Sequence, residues 1–163
     1  FQGTKPILGK ESLSQFTKIE TDDSLMETVS HGDKAYPFSY YYENLALYDF
    51  HCVDWHWHNE FEFVFVESGE VSCDIGSTHF MLLPGQASMI NSRVLHRFQS
   101  ESDAITPNFL FNPSFISPAE SLIYEKYVNP VLSSSLEAYF IMLSPRPVTA
   151  LYRRSPAPGL TIT

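Results

Sequence analysis

Between residues 36 and 106, apolar and polar positions alternate in short runs broken by turn signals. Glu67-Ser68-Gly69-Glu70, Gly76-Ser77 and Pro84-Gly85 recur about 8 residues apart, a spacing that predicts successive short strands of a sandwich or barrel rather than helices. The densest run is "HWHNEFEFVFVESGE", residues 56 to 70. Side chains alternate faces along a strand, so an unbroken strand here would carry His56, His58, Glu60, Glu62 and Val64 on one face. Trp55, Trp57, Phe61, Phe63 and Phe65 would take the other, which must then pack against something. Further on, Gln86 to Ile90 reads as a strand leading into a turn at Asn91-Ser92-Arg93, with His96 just beyond it.

From Pro107 the texture changes. Residues 107–141 read as a helical segment, with Ser117 as an N-cap, Pro118 at the first helical position and Glu120 at the third. Asn129-Pro130 predicts a break, followed by a second short helix from Pro130 to about Phe140. Residues 142–163 form a Pro-rich tail without periodicity. Residues 4–35 are a polar N-terminal arm, and Phe1–Gly3 resemble the remnant of a tobacco etch virus protease site. The expectation is therefore one mainly β domain, a barrel over residues 36–106, followed by one or two short C-terminal helices.

Composition narrows the function classes. Forty-four per cent apolar residues in 163 are enough for one domain with a real core. No apolar run reaches membrane-spanning length, and the N-terminus lacks the pattern of a signal peptide, so a cytoplasmic protein is expected. Two cysteines, Cys52 and Cys73, are too few for a disulfide framework and read as reduced thiols. A net charge of −9 argues against binding nucleic acid by phosphate neutralisation. The only basic pair is Arg153-Arg154, near the tail. No G-x-S-x-G elbow and no glycine-rich phosphate loop is present.

Candidate chemistry is concentrated in His56, His58, Glu62 and His96. Three imidazoles and a carboxylate offer N and O ligands suited to Zn, Fe, Mn, Ni or Cu, and the sequence does not choose among these metals. Without a metal, the same groups would hydrogen-bond a polar ligand. Arg93 and Arg97 flank His96 and are candidates to receive a carboxylate, although a solvated turn is the simpler reading. Tyr40, Tyr41 and Tyr42 form an aromatic run from which Tyr40 is the candidate ligand contact. His51 and His79 read as ordinary strand residues, His31 as an uninformative member of the arm, and Asp22-Asp23 as solvated surface.

The spacing His56-x-His58-(x)3-Glu62-(x)6-Gly69 resembles the first cupin motif. Asn91-x-Arg93-x-x-His96 stands where the second, Pro-x-Gly-x-x-His, would fall, and keeps only its His. The resemblance implies a double-stranded β-helix (jelly-roll) barrel with His56, His58, Glu62 and His96 as metal ligands. "HWHNEFEFVFVESGE" followed by "LLPGQASMINSRVLHRF" and "NFLFNPSFISPAESLIYEKYVNPVL" is further similar to the N-terminal domain of AraC-type transcription regulators, over roughly residues 36 to 140. That likeness implies a sensor domain for a small-molecule effector, either a sugar or an aromatic or organic acid, in a homodimer. DNA contact would belong to a separate C-terminal helix-turn-helix domain missing from this chain. Two other classes stand beside it. One is a stand-alone metal-dependent cupin enzyme, a dioxygenase or isomerase. The other is a ligand-free dimerisation module using the helical segment 117–140 or the aromatic face of residues 55 to 65.

Overall fold

The computed structural model describes residues 18–142. Phe1–Gly3, the start of the arm and the tail with Arg153-Arg154 lie outside the described residues. Nine strands form two antiparallel sheets. In chain order they are β1 (Phe38–Asn44), β2 (Cys52–His56), β3 (Phe61–Phe65), β4 (Val71–Ile75) and β5 (Thr78–Leu82), then β6 (Gln86–Ile90), β7 (His96–Gln99), β8 (Ile105–Phe111) and β9 (Ala138–Met142). One sheet has the order β1-β8-β3-β6-β9 and the other β2-β7-β4-β5. This is the cupin double-stranded barrel, with the helical segment reduced to a few turns near its end.

Alternation explains the core. In β4, Val71, Cys73 and Ile75 are buried and the residues between them are not. In β7, His96 and Phe98 are buried while Arg97 and Gln99 are partly exposed. Val71, Cys73, Ile75 and Phe98 share one apolar cluster with Val64 of β3 and Ile90 of β6 from the facing sheet, together with Leu45, Tyr48, Val53, Val66, Leu82 and Ala104. Both cysteines are free thiols, as their number implied.

The turns need the glycines that mark them. Gly69, Gly76 and Gly85 all have positive φ, a region costly for residues with a Cβ. At Gly69, with φ +80°, an added Cβ would lie 2.5 Å from the Asp103 carbonyl oxygen and 2.7 Å from the Ala104 Cβ. Gly69→Ala is therefore expected to cost about 2–4 kcal/mol, from backbone strain plus overpacking. Urea unfolding of the variant checks this; a loss below about 0.5 kcal/mol would show that the turn relaxes freely.

Three readings of the sequence are corrected. The barrel does not end at 106: β8 crosses that point and pairs with both β1 and β3. The second helix does not run to Phe140. A π-helical turn, Tyr124–Val128, leads directly into α1 (Asn129–Leu132), and the Asn129 N–H reaches back to the Tyr124 carbonyl. The wide turn accommodates Pro130, which lacks an N–H and would crowd a regular helix, so the chain continues past it. Ala138–Met142 then extends and pairs with β6, because the open β6 edge outweighs local preference. The cap is also displaced: Ser121, not Ser117, accepts the Tyr124 N–H at 3.0 Å, and Ser117 bonds Ser121 through its hydroxyl.

Candidate functional site: a histidine–glutamate cluster beside a cavity

The four candidate ligands converge, but not on one strand. β2 ends at His56, residues 57–60 cross between the sheets, and β3 begins at Phe61 in the facing sheet. His56 therefore comes from one sheet, Glu62 from the other, and His58 from the crossing loop between them. His96 joins them because β7 pairs with β2, setting His96 opposite His56. Their ligand atoms all lie within 4.8 Å of one another, and all four residues are buried. The single face expected from an unbroken strand is thus replaced by two facing ones that reach the same point.

The hydrogen bonds orient the rings. Nδ1 of His56 bonds the Asp54 carbonyl and Nδ1 of His96 the Val94 carbonyl, both at 2.8 Å. A carbonyl only accepts, so both Nδ1 atoms carry the proton, and each Nε2 of a neutral ring presents a lone pair. His58 Nε2 lies 3.2 Å from Glu62 Oε2, and Asn108 donates to Glu62 Oε1 at 3.0 Å. Burial pushes the Glu62 carboxyl upward, but the contacts with His58 and then His96 outweigh it and hold it well below the usual range. His56 is pushed down to about 3 by burial and then by the neighbouring His96, so it is neutral.

One contact tests whether these residues fit a cation. His96 Nε2 lies 3.0 Å from Glu62 Oε2, yet has no aligned hydrogen-bond partner. Two lone-pair-bearing atoms at that distance are satisfied only by a proton or a cation between them. Carbonyl-anchored imidazoles are also the usual arrangement behind metal-ligating histidines. The donor set of three imidazole nitrogens and one carboxylate fits a divalent transition metal.

Beside the cluster lies a cavity of about 60 Å³ between the sheets. His56, Glu62 and Asn108 line it on the cluster side, and Tyr41, Glu43 and Tyr48 on the opposite side. Glu27 and His31 line it from the arm. The arm is docked by a bridge between Met26 and Trp57 and by the Trp57 indole donating to the Ser24 carbonyl at 2.9 Å. His31 contacts Glu27 at 2.9 Å through Nε2 and the Tyr41 hydroxyl at 2.9 Å through Nδ1. Burial pulls the His31 imidazole down, but its bond to Glu27 more than offsets this and its affinity for protons is raised.

The other sequence candidates fall elsewhere. Tyr40 points to the outer face of the five-stranded sheet, among Phe38, Phe63 and Phe109; parity puts its neighbour Tyr41 into the cavity instead. Arg93 is not among the cavity-lining residues. It has φ +63°, where the related motif has glycine, its N–H bonds the His58 carbonyl at 2.8 Å, and its guanidinium donates to Asn59 at 3.0 Å. It thus holds the loop that carries His58. Arg97 donates to Asp74 and lies over the outward-facing Trp55. His79, largely exposed, pairs with the same Asp74. Asp22, although exposed, caps a turn at Ser24 and Met26. Phe63 and Phe65 pack sideways with strand neighbours on the outer face, for example Phe63 stacked on Phe111.

Glu27, His31, Glu43, Tyr48 and Asn108 could not be recognised as cavity residues from the sequence. Nor could the sequence show that Asn91, read there only as a turn residue, has an amide that donates to the Val131 and Leu136 carbonyls at 2.9 Å each and ties the C-terminal segment to the barrel. Asn91→Ala would remove both of these hydrogen bonds and is expected to cost about 1–2 kcal/mol. Chemical denaturation reads this loss, and an unchanged midpoint would mean that water replaces the amide.

The fold and the buried cluster define a cupin-type binding domain. The chain belongs to the AraC-like ligand binding domain family, which matches residues 39–125, over half its length. Among solved structures it is similar to protein NMB1881 from Neisseria meningitidis, with 18% identity over 47% of this chain and 75% of that one, at a TM-score of 0.41. It is also similar to a cupin-2 domain containing protein from Shewanella frigidimarina, with 15% identity over 45% and 69% of the chains, at 0.40. A third similar structure is that of FeII HppE, with 18% identity over 46% of this chain and 44% of that one, at 0.39. No curated protein matches the sequence. Among the described residues no helix is long and apolar enough to cross a membrane.

Proposed function

We propose that this chain is the effector-sensing domain of a transcriptional regulator. A small molecule binds in the cavity between the sheets, against His56, Glu62 and the arm residues Glu27 and His31. The observation that carries the reading is the cavity itself, partly covered by a docked arm and bordered by buried polar groups. Its occupancy would favour one placement of the arm over others, and such a difference in affinity between two states is what a sensor needs. Contact with DNA would require a further domain, since this acidic chain does not neutralise phosphates. The aromatic outer sheet face around Phe63, Phe109 and Phe111 would serve a homodimer. A thermal-shift screen of small polar molecules tests the reading. Saturable stabilisation without chemical change of the compound supports it, whereas no stabilisation by any compound, with the chain monomeric in light scattering, would contradict it.

The cluster favours a second reading, a metal-dependent cupin enzyme. His56, His58, Glu62 and His96 would hold the metal, which when bound supplies Lewis acidity next to the cavity. Asn108 would keep the Glu62 carboxylate oriented, and the Asp54 and Val94 carbonyls would fix the two ring tautomers. Consumption of a compound that the protein also binds would favour this reading over the sensor.

A further inference from the structure

The cavity is short of donors and rich in acceptors. Carboxylates Glu27, Glu43 and Glu62 line it, with Glu20 at its rim, and no Lys or Arg is among the lining residues. The donors present are already engaged. His31 is bonded to Glu27 and Tyr41, Tyr48 donates to Glu43 at 2.8 Å, and Asn108 donates to Glu62. Acceptors remain open. Glu43 receives one side-chain hydrogen bond, from Tyr48. The Asn108 carbonyl oxygen is buried with no partner, in a residue only 8% exposed. A buried acceptor left unpaired costs free energy that an incoming donor recovers.

We infer that the cavity takes a small organic cation, a protonated amine, with Glu43 as its counter-charge. This rests on reading the cavity as a ligand site and names the class of ligand. An ammonium brings three donors and no acceptor, matching the open Asn108 side-chain oxygen and a Glu43 carboxyl that gives up its proton as the cation enters. Val53, Phe98 and Leu110 offer an apolar flank for a carbon stem. Size limits the ligand: at about 10–15 Å³ for each water-sized occupant, the cavity admits roughly four to six non-hydrogen atoms. A carboxylic acid would place a further negative charge among carboxylates, so the organic acids that the sequence left open are disfavoured. A neutral polyol would satisfy the acceptors but not the charge.

The test uses three probes of similar size and different charge: 1-amino-2-propanol, propane-1,2-diol and lactate. Each is titrated calorimetrically into metal-free protein at neutral pH, with wild type and Glu43→Gln compared. The expected result is saturable binding of the amine, at least about tenfold weaker binding of the diol, and none of lactate. Glu43→Gln should weaken the amine about tenfold or more and leave the diol unchanged, while the variant stays folded. Diol or lactate binding as tightly as the amine would overturn the inference but leave the cavity a ligand site. Binding of none of the three would overturn both the inference and the site. Amine binding equal in wild type and variant would also overturn it, because the cation would then sit elsewhere.

Discussion

Glu43→Gln is expected to make the protein more stable, not less, and increasingly so as pH rises from about 5 to 8. Glu43 lies half-buried on β1, with its carboxyl among the groups that line the cavity. Burial pushes that carboxyl up to about 8, the Tyr48 hydrogen bond opposes this, and nearby Glu62 and Glu27 add to it. In the unfolded chain the same group ionises near 4.5. Below 4.5 it is protonated in both states and costs nothing. Between 4.5 and about 8 the unfolded chain gains from ionising while the folded one does not, at about 1.4 kcal/mol per pH unit. The loss therefore grows through this window and levels off above 8 at an upper value of about 4–5 kcal/mol. Glutamine keeps the carbonyl that accepts from Tyr48 and removes the titration. Denaturant midpoints of wild type and variant at pH 5 and 8, in chelator, check this. Parallel pH profiles would show that the carboxyl is hydrated. A buried acid retained at such a cost is what a site for a positive ligand would need.

The second large effect is expected at Phe98. This β7 residue belongs to the core and also borders the cavity, and its ring lies 5.5 Å from that of His96. It is only 4% exposed. Truncation to alanine removes a ring from a close-packed layer that cannot collapse fully, at about 3–5 kcal/mol. Because the lost volume opens into the cavity, the variant should also accept ligands larger than wild type can bind. Phe98→Leu should keep most of the stability, which separates the packing effect from ligand size. Unfolding curves with a size series of ligands measure both consequences. A cost below about 1 kcal/mol would mean that the cavity wall rearranges around the gap.

The sequence made legible those features that depend on local spacing. The turns at Gly69, Gly76 and Gly85 need positive φ, and glycine or its neighbours announce it. The strand Gln86–Ile90 was readable from its flanking turns. The four cluster residues were readable because cupin spacing survives, even where Arg93 takes glycine's conformation. Parity placed His56 and Glu62 inward by an argument only half valid, since the strand breaks between them and the facing sheets restore the same direction. Features set by distant contacts were not legible. "FSYYYEN" is polar or aromatic at nearly every position, so alternation could not show that Tyr41 and Glu43 point inward and Tyr40 outward. Glu27 and His31 lie in a polar arm without periodicity, and their burial follows from Trp57 holding that arm down. Pairing with β6 drew residues 138–142 into a strand, where a proline-led helix to about Phe140 was expected.

The most direct measurement is a Co(II) titration of metal-stripped protein, followed by visible absorption. If His56, His58, Glu62 and His96 form one cation-competent site at the cavity, one equivalent should saturate intense d–d bands with histidine and carboxylate ligation. His96→Ala should weaken uptake about a hundredfold or more. Weak, non-stoichiometric uptake with the same spectrum in wild type and variant would contradict the account. The cluster would then be a proton-sharing core network, and the cavity alone would carry the function.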